Sequence, residues 1–472
     1  MPPRPGTEAT EVPPMPLAGI RVVEFSGSLA AAYCGKLFAD AGADVIQIEA
    51  DCSAGRRTPL EHYLDAGKRS VVVGEAGGTS ASGHTATQSR GPDGLLDRLL
   101  ASADIIVGTV TFDATGSEGT NGGTGDGPAD AVRPQKAGRY GDARGLRTAR
   151  VAPESATAVL PGGLSVGEVR ARYPGCVLVT LSPFGTRGPW AGYPGNDFTL
   201  QAWGGSTARR GDAERGPLAA GGDLTDWSGG AVAAVGALGV LLGTAGTGRG
   251  EHVDVSLLEV ATLVFNGFMA VAGQLAPPPG PPREPRPYTE LPSVVRAADG
   301  WVGFATNSAA QFRAFAEMVG HPEWADHPEY SRADRRGLHA AELAPVIDAW
   351  AGERSVDEIT ALARARAIPV APVGNGRETP GFDHMRARGS FVTQPGQGFL
   401  RPVAPYRLSD AATRPPTEAP ERGAHTAELA AELTCESTSH GSEALAAGAR
   451  LSATVNAEAE SPARRIAPAA RS

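Results

Sequence analysis

The sequence predicts an α/β protein whose larger part is a doubly wound parallel sheet. From Leu17 onward, short apolar runs rich in β-branched residues alternate with helical segments rich in Ala and Leu. The opening unit reads GIRVVEF, then SGSLAAAYCGKLFADAG, then ADVIQIEA, which is the order of a β-α-β unit. Strands joined by such a crossover are parallel, and repeated units place helices on both faces of one sheet. The length of 472 residues allows two or three domains.

Further strands and helices follow in the same alternation. KRSVVV and ADIIVGTV have the composition of strands, with the helix-like GLLDRLLAS between them. CVLVTLSPFG is a strand running into a Gly-rich loop, and EHVDVSLLEVATLVF gives a strand and the start of a long apolar helix. From Thr289 to about Asn375, strand patterns such as WVGFAT alternate with amphipathic helices, which predicts a smaller α/β domain.

Composition sets the expected limits of the ordered parts. Gly and Pro number 62 and 39, and several segments combine them with few large apolar side chains. Such segments cannot bury enough surface to offset the entropy of ordering. We expect a disordered arm at 1–16, a low-complexity insertion at about 113–162 and a disordered tail at 431–472. The rest divides into a large domain (17–225), a small domain with linkers (226–335) and a C-terminal part returning to the large domain (336–430).

Charge and cysteine content exclude several classes of function. The net charge is −9 and the isoelectric point about 5.6, so no overall positive field exists to bind nucleic acid. The four cysteines form no CxxC pair, so neither a metal site nor a disulfide framework is expected and a cytoplasmic location fits. The first residues lack the apolar core of a signal peptide. The Gly-rich uncharged run from Trp227 to Gly248 predicts a buried core helix rather than a membrane span.

The β-α-β opening first suggests a dinucleotide site. Glu49 ends the second strand, where an acid can bind the ribose of a nicotinamide cofactor. The turn SGSLAAAYCG, however, lacks the G-x-G-x-x-G that lets the backbone approach a pyrophosphate. A nicotinamide oxidoreductase is therefore disfavoured, and Glu49 is more simply explained as a solvated carboxylate at a strand end.

Several segments taken together indicate a family. They are PLAGIRVVEFSGSLAAAYCGKLFADAGADVIQIEA, DAGKRSVVV, VLVTLSPFGTRGPWAGYPGNDFTLQAWGG, DWSGGAVAAVGALGVLLGTAGTGRGEHVDVSLLE and RAADGWVGFAT, in this order. They resemble the class III CoA-transferases of the CaiB/BaiF type, a family that includes formyl-CoA transferase, carnitine CoA-transferase and α-methylacyl-CoA racemase. The resemblance covers most of residues 17–430. It implies a Rossmann-like large domain, a smaller α/β domain and an interlocked homodimer with the active site at the subunit interface.

The resemblance also implies the chemistry. Members move CoA from an acyl-CoA to a carboxylic acid, both small-molecule substrates, with no tightly bound cofactor. Their nucleophile is an aspartate that precedes an apolar helix and follows a proline by nine positions, as Asp226 follows Pro217. A carboxylate suits this role because its thioester with CoA can be opened by the acceptor acid. Asp is also a preferred N-cap residue, so capping is the alternative for Asp226, and Asp223 is the rival nucleophile.

CoA needs cations for its phosphates. Lys68 and Arg69 match the KRS segment that the family places on the phosphate side, although a solvated pair at a strand start is the alternative. After the second strand many members have an arginine that reaches CoA, and here that position is Ala50, with Arg56 and Arg57 as candidate substitutes. Leu29 and Thr109 also depart from the family pattern. These departures put CoA affinity and acyl specificity in question.

Two alternatives stay open beside CoA transfer. Racemases of this family need a His and an Asp on opposite sides of an α-carbon. Their His-Asp pair matches Asn196-Asp197, so racemisation or epimerisation would require His252 or His62 to reach the site. The second alternative is a repurposed homologue in specialised metabolism with weakened CoA binding, which the departures at Leu29, Ala50 and Thr109 suggest.

Overall fold

The computed structural model describes residues 14–25, 27–49, 56–73, 94–113, 157–207, 210, 217–265 and 291–439. The chain forms two compact units. The larger unit comprises Met1–Ser206, Ala219–Pro277 and Val392–Ser472, and the smaller unit comprises Thr207–Leu218 and Pro278–Phe391. Most of the arm, the insertion and the tail predicted from composition lies outside the described residues.

The large unit is built on a six-stranded sheet in which every pair of neighbouring strands is parallel. Its strands, with the short antiparallel pair β5 and β6 beside them, are β1 (Arg21–Phe25), β2 (Asp44–Glu49), β3 (Arg69–Val72), β4 (Ile105–Thr109), β5 (Thr111–Asp113), β6 (Thr157–Val159), β7 (Val177–Ser182) and β8 (His252–Ser256). The order across the sheet is β3-β2-β1-β4-β7-β8. This order reverses direction between β1 and β4, as in Rossmann-type sheets, and the predicted α/β fold class is confirmed.

Helices surround this sheet and complete the smaller unit. They are α1 (Leu29–Asp40), α2 (Pro59–Leu64), α3 (Leu95–Ala101), α4 (Val166–Arg172), α5 (Asp197–Trp203), α6 (Leu224–Thr247), α7 (residues 257–265), α8 (Ala309–Val319), α9 (Ala333–Arg336), α10 (Ala340–Gly352), α11 (Val356–Arg364), α12 (Asp383–Ala387) and α13 (Thr426–Ser439). Helices α8 to α12 belong to the smaller unit and the others to the larger.

The two faces of the sheet bury separate apolar cores. Along β1, Val22 packs with residues of α1 and α6, while Val23 packs with residues of α3, α4 and α13. Successive strand side chains point to opposite faces, so strands buried on both sides read as nearly continuous apolar runs. This explains why runs such as RVVEF carried the fold prediction.

The smaller unit has its own core. An antiparallel sheet of β9 (Val294–Arg296), β10 (Trp301–Phe304) and β11 (Val370–Pro372) packs with α8, α10 and α11. Phe312 and Phe315 on α8 are fully buried there. The last strands, β12 (Phe391–Thr393) and β13 (Leu400–Pro402), form a separate two-stranded sheet.

The unit boundaries differ from those predicted. We expected the small domain to begin at 226, but β8 pairs with β7 in the large sheet, and the large unit therefore continues to Pro277. The return to the large unit comes at Val392 rather than at 336, because α10 and α11 pack into the smaller core. The predicted tail from 431 is helical through Ser439, since α13 buries Leu429 and Leu433 against the large sheet.

Helix α6 was expected to be a buried core helix, and only one side of it is buried. Ala233 and Ala237 lie in the core against α1, whereas Val235 and Leu242 are 72% and 60% exposed. Among the described residues, α6 is also the one helix long and apolar enough to span a membrane, with 28% of that window buried. Length and composition alone do not separate such a helix from a core helix of a soluble protein.

Candidate active site

The candidate site forms where α6 crosses the start of α1. A Cβ atom at Gly230 would lie 2.6 Å from the carbonyl oxygen of Ala30 and 3.1 Å from the amide nitrogen of Cys34. Only glycine allows the two backbones this close, because any side chain would meet main-chain atoms. One turn before Gly230, the same face of α6 carries Asp226. The close crossing therefore brings Asp226 to the first turn of α1.

Asp226 lies in the first turn of α6 and is partly buried. Burial is the main cause that raises the pKa of its carboxyl group to about 7, and the nearby carboxylates of Asp197 and Asp223 raise it further. The backbone N–H of Ala30 donates to the carboxylate and acts in the opposite direction. A carboxyl group with this pKa is a stronger base than an ordinary aspartate, and it is largely ionised only above neutral pH.

The start of α6 is three residues earlier than the sequence indicated. Asp223 is the N-cap residue, with a left-handed backbone at φ 54°, and its side chain makes no capping hydrogen bond. The alternative in which Asp226 serves as the N-cap does not hold, because Asp226 lies inside the helix. Asp223 itself is exposed, and its position as rival nucleophile is open to experiment.

Helix α5 supports the start of α6. Oδ1 of Asp197 accepts a hydrogen bond from the backbone N–H of Thr225 at 2.9 Å, and Oδ2 accepts one from Nε2 of Gln201 at 2.8 Å. The fully buried Gln201 amide also exchanges two hydrogen bonds with the backbone of Ala220, at 2.9 and 3.0 Å. Sequence reasoning missed Gln201, and a buried polar residue on a short helix gave no distinguishing signal.

Aromatic rings line the region next to Asp226. The ring centroid of Trp227 lies 4.7 Å from that of Tyr33 and 6.3 Å from that of Tyr63. These rings pack with buried Leu29 and Leu64. Leu29, which departs from the family pattern, therefore adds an apolar side chain to the group of residues beside the carboxylate of Asp226.

A second group of aromatic residues follows β7. The rings of Trp190 and Trp203 are 4.6 Å apart, and Phe184 contacts Trp190 edge to face at 5.9 Å. The loop is anchored by Asp254, whose carboxylate accepts hydrogen bonds from the backbone and side chain of Thr186. Trp203 remains 61% exposed. The Gly-rich loop that follows β7 and the helix after it thus present large apolar side chains on their surface.

Three of the four cations proposed to bind CoA are engaged by carboxylates. Nζ of Lys68 is fully buried and donates to Oε2 of Glu24 at 2.6 Å and to the carbonyl of Ala32 at 2.9 Å. Arg57 pairs with Asp65, and with Glu49 at 3.0 Å. Lys68 is therefore not half of a solvated pair, which was the alternative for it.

Arg69 and Glu49 are also held in ion pairs. Arg69 begins β3 and pairs with Asp44 at 2.5 Å and with Glu432 of α13 at 2.7 Å. This places it at the amino-terminal edge of the sheet, whereas the first turn of α1, and Asp226 beside it, lie at the carboxyl-terminal edge. Glu49 is buried and accepts from Arg57 and from the hydroxyl of Ser70, so it is not the solvated carboxylate expected at a strand end.

Arg56 differs from the other three. It is exposed, and within the described part of the chain its guanidinium makes no ion pair or hydrogen bond. It acts on the neighbouring His62, whose pKa is lowered by burial and by the charges of Arg57 and Arg56. Of the other departures, Thr109 donates to Oγ of Ser28 at 2.7 Å where the sheet order reverses, and Ala50 lies outside the described residues.

Two of the residues considered for racemisation have other partners in the described structure. Asn196 caps α5 by accepting the backbone N–H of Thr199 at 2.9 Å. His252 opens β8 and its Nε2 lies 2.8 Å from the hydroxyl of Thr180 on the adjacent strand. Within the described ranges, no three His, Cys, Asp or Glu residues are arranged to hold a metal ion.

Comparisons with known proteins agree with this architecture. The model of CoA-transferase family III matches residues 17–117 and 156–426. Succinate--glutarate CoA-transferase of Agrobacterium fabrum is 26% identical over 89% of this chain and 96% of its own length. Succinyl-CoA--D-citramalate CoA-transferase of Chloroflexus aurantiacus is 26% identical over 90% of this chain and 96% of its own length.

A solved structure shares the fold. A CaiB/BaiF family protein from Brucella suis superposes with a TM-score of 0.65 at 22% identity, covering 89% of this chain and all of its own. At this identity the likeness speaks for the fold alone. The family model, in contrast, matches well over half of the chain. The chain therefore belongs to CoA-transferase family III, and it is an enzyme of this class.

Proposed function

We propose that the enzyme transfers CoA from an acyl-CoA to a carboxylic acid through an aspartyl-CoA thioester on Asp226. The observation that supports this proposal is the setting of Asp226: a partly buried carboxylate in the first turn of α6 that also accepts the Ala30 amide of α1. Helix N-termini carry partial positive charge, and free peptide N–H groups stabilise the oxyanion that forms when a carbonyl is attacked.

The proposed reaction has four balanced steps. The Asp226 carboxylate attacks the thioester carbonyl, and the carbon–sulfur bond breaks to give a mixed anhydride and CoA thiolate. The thiolate then attacks the Asp226 carbonyl of the anhydride, which releases the donor acid and leaves the aspartyl-CoA thioester. The acceptor carboxylate attacks this thioester to form a second anhydride and the thiolate again. Finally the thiolate attacks the acceptor acyl carbon, which yields the new acyl-CoA and free Asp226.

The basicity of Asp226 fits these steps. A pKa of about 7 makes the carboxylate more nucleophilic than an ordinary aspartate while leaving a substantial ionised fraction at neutral pH. The same environment excludes water in part, which protects an anhydride from hydrolysis. Rate should therefore rise with pH through about 7 and then level off.

Covalent trapping tests the assignment. The protein is incubated with succinyl-CoA, which is the first donor to try because it appears in the names of relatives, and is then treated with hydroxylamine or borohydride. We expect a mass change on the peptide that contains Asp226, and no change in Asp226→Ala. Asp223→Ala is the matched variant three residues earlier. Labelling and transfer that persist in Asp226→Ala but vanish in Asp223→Ala would assign the nucleophile to Asp223.

We further propose that Arg56 contacts a CoA phosphate. It is the one cation of the predicted set that is exposed and has no carboxylate partner in the described structure. Lys68, Arg57 and Arg69 would have to leave buried or partly buried ion pairs to reach a phosphate. Their support for CoA binding is therefore expected to be indirect, through the position of β3 and of the segment that precedes α2.

We infer that two copies of the chain associate as a homodimer. Apolar side chains on α5, α6 and α7, such as Trp203, Val235 and Leu263, are 61 to 72% exposed within one chain. Large apolar side chains exposed in this number are typical of chains that associate through an obligate interface. Sedimentation equilibrium should give twice the monomer mass, and Val235→Asp should shift it toward the monomer.

Free, buried Cys34 and Cys176 support a reducing compartment such as the cytoplasm.

A repurposed homologue with weakened CoA binding is the second candidate function. The ion pairs of Lys68, Arg57 and Arg69 favour it, because they leave few free cations for the phosphates. Calorimetric titration with free CoA separates the two, since binding in the micromolar range supports a transferase and no heat at millimolar CoA supports repurposing. Acyl specificity follows from a screen of short-chain, dicarboxylic and aromatic acyl thioesters.

A further inference from the structure

Helix α6 lacks a capping side chain of its own. Its N-cap residue, Asp223, is in a left-handed conformation and makes no side-chain hydrogen bond to the first turn. The first peptide N–H groups of a helix have no partner within the helix and need one from elsewhere. For Thr225, that partner is the carboxylate of Asp197, which belongs to a different helix.

The acceptor on α5 is itself held in place. Gln201 lies one turn after Asp197 and donates to it from Nε2 at 2.8 Å. Gln201 is fully buried, and its amide is fixed by the two hydrogen bonds to the backbone of Ala220 in the segment that leads into α6. The Asp197 carboxylate is thus aimed at α6 by a group that also fixes the preceding segment.

We propose that Asp197, held by Gln201, is a positioning residue that fixes the carboxylate of Asp226 by capping α6 from α5. The proposal rests on the function proposed above for Asp226. Thr225 immediately precedes Asp226. The hydrogen bond from its N–H therefore fixes where the first turn of α6 lies along the helix axis and how it is rotated about that axis. Displacing a reacting group by about 1 Å can lower a rate by about 100-fold.

The same arrangement places like charges together. The charged groups that act on the Asp226 carboxyl are Asp197 on α5 and Asp223 at the start of α6, while α1 contributes the Ala30 amide. A residue that served only the stability of α6 would not need to be a carboxylate near another carboxylate. An Asn at position 197 keeps an oxygen for the Thr225 amide and removes the charge, whereas Ala removes both.

Single-turnover formation of the CoA adduct on Asp226 tests the proposal. The wild type, Asp197→Asn and Asp197→Ala are mixed with succinyl-CoA, and adduct mass is followed against time from pH 5.5 to 8.5. For Asp197→Ala we expect adduct formation about 100-fold slower, with acyl-CoA affinity changed by less than about threefold. Asp197→Asn should recover most of that loss at pH 8, because the Asn oxygen still accepts the Thr225 amide.

The pH profile separates positioning from mere structural support. Removing the Asp197 charge takes away one cause that raises the pKa of Asp226, so the rate midpoint of Asp197→Asn should move to lower pH. Glu168→Ala is the matched control: it removes the carboxylate that accepts the Ser165 N–H at 2.8 Å in the capping box of α4 in the same unit. We expect it to leave rate and midpoint unchanged.

Each outcome decides a different question. If the folded Asp197 variants, checked by thermal unfolding, form the adduct at the wild-type rate with an unchanged midpoint, the positioning role is wrong and the function of Asp226 stands. If Asp197→Ala slows the adduct no more than Glu168→Ala does, the cap is only structural. If the wild type forms no adduct on Asp226, the proposed function fails first.

Discussion

Two carboxylates beside α1 have opposite surroundings. Glu24 lies on β1 beneath the middle of the helix, is fully buried and receives Nζ of Lys68 at 2.6 Å. Asp226 lies at the start of the helix, has two other carboxylates nearby and receives one peptide N–H. The comparison shows how one helix borders two carboxylates, one neutralised by a lysine and one whose pKa is raised.

Local packing creates the first of these environments. A Cβ at Gly35 would overlap the carboxylate of Glu24, so α1 has room for the ion pair only because it has no side chain there. A buried charge without a partner costs several kcal/mol, and the lysine at this distance offsets most of that cost. Among the described residues no cation offsets this cost at Asp226, and the cost persists as a raised pKa of its carboxyl group.

Removing the cation from the first environment should have the largest effect. Lys68→Met removes the cation that faces the buried carboxylate of Glu24, and we expect the free energy of unfolding to fall by about 3–5 kcal/mol. Urea unfolding at pH 7 measures the change. The double variant Glu24→Gln/Lys68→Met should recover most of the loss, because the buried carboxylate charge is then removed together with its cation. A loss under about 1 kcal/mol in the single variant would contradict the structural assignment of this pair.

Removing the charge from the second environment should stabilise the fold. The native pKa of Asp226 is about 7 and its ordinary value is 3.8, so the unfolded chain loses the proton first as pH rises. The contribution of Asp226 to the stability of the wild type therefore falls between about pH 4 and pH 7. Asp226→Asn should be more stable at pH 8 by on the order of 2–4 kcal/mol, with no difference near pH 4. Thermal unfolding of both proteins across this pH range measures the difference. If Asp226→Asn and the wild type were equally stable at pH 4 and also at pH 8, a raised pKa of Asp226 would be contradicted.

The crossing of α1 and α6 can be tested with two glycines on one helix. Gly230→Ala places a methyl group 2.6 Å from the carbonyl oxygen of Ala30, and we expect a loss of about 1–3 kcal/mol with a large fall in CoA transfer. Gly239→Ala meets no atom within 4 Å and should stabilise the helix by about 0.5–1 kcal/mol. Equal effects of the two substitutions on unfolding would show that α6 does not approach α1 this closely.

The smallest effect is expected at the exposed cation. Arg56→Ala should raise KM for acyl-CoA several-fold, since loss of one exposed charge-assisted contact is worth about 1 kcal/mol. The free energy of unfolding should not change, because Arg56 has no partner in the described structure. An unchanged KM together with unchanged stability would remove Arg56 from the CoA site.

The sequence predicted the strands well, but it predicted poorly which side chains pair with one another. Apolar runs located the parallel strands because both of their faces are buried, and Asp226 was found through ordered segments rather than through its own surroundings. The start of α6 was missed because Asp223 adopts a left-handed backbone that its neighbours do not encode. The partners of Lys68 could have been suspected, since RVVEF places Glu24 within a buried strand and such an acid requires a nearby cation.

Long-range contacts explain what the sequence could not provide. The cap from Asp197 to Thr225 joins residues 28 positions apart, and the pair of Lys68 with Glu24 spans 44. Neither spacing follows a helix or strand period, so no local pattern reveals it. The extent of α6 burial was overestimated for a related reason: its Gly and Ala side packs on α1, and composition did not show which face would remain open.

The placement of α13 has a consequence for biosynthesis. This helix supplies Leu429 and Leu433 to one face of the large sheet, although every strand of that sheet precedes Leu257. A ribosome therefore releases the complete set of strands long before the last of the helices that cover this face, while residues 278–391 of the smaller unit emerge as one continuous stretch. The nascent large unit must wait with part of an apolar face uncovered, and a chain stalled before Thr426 should be a preferred client of chaperones.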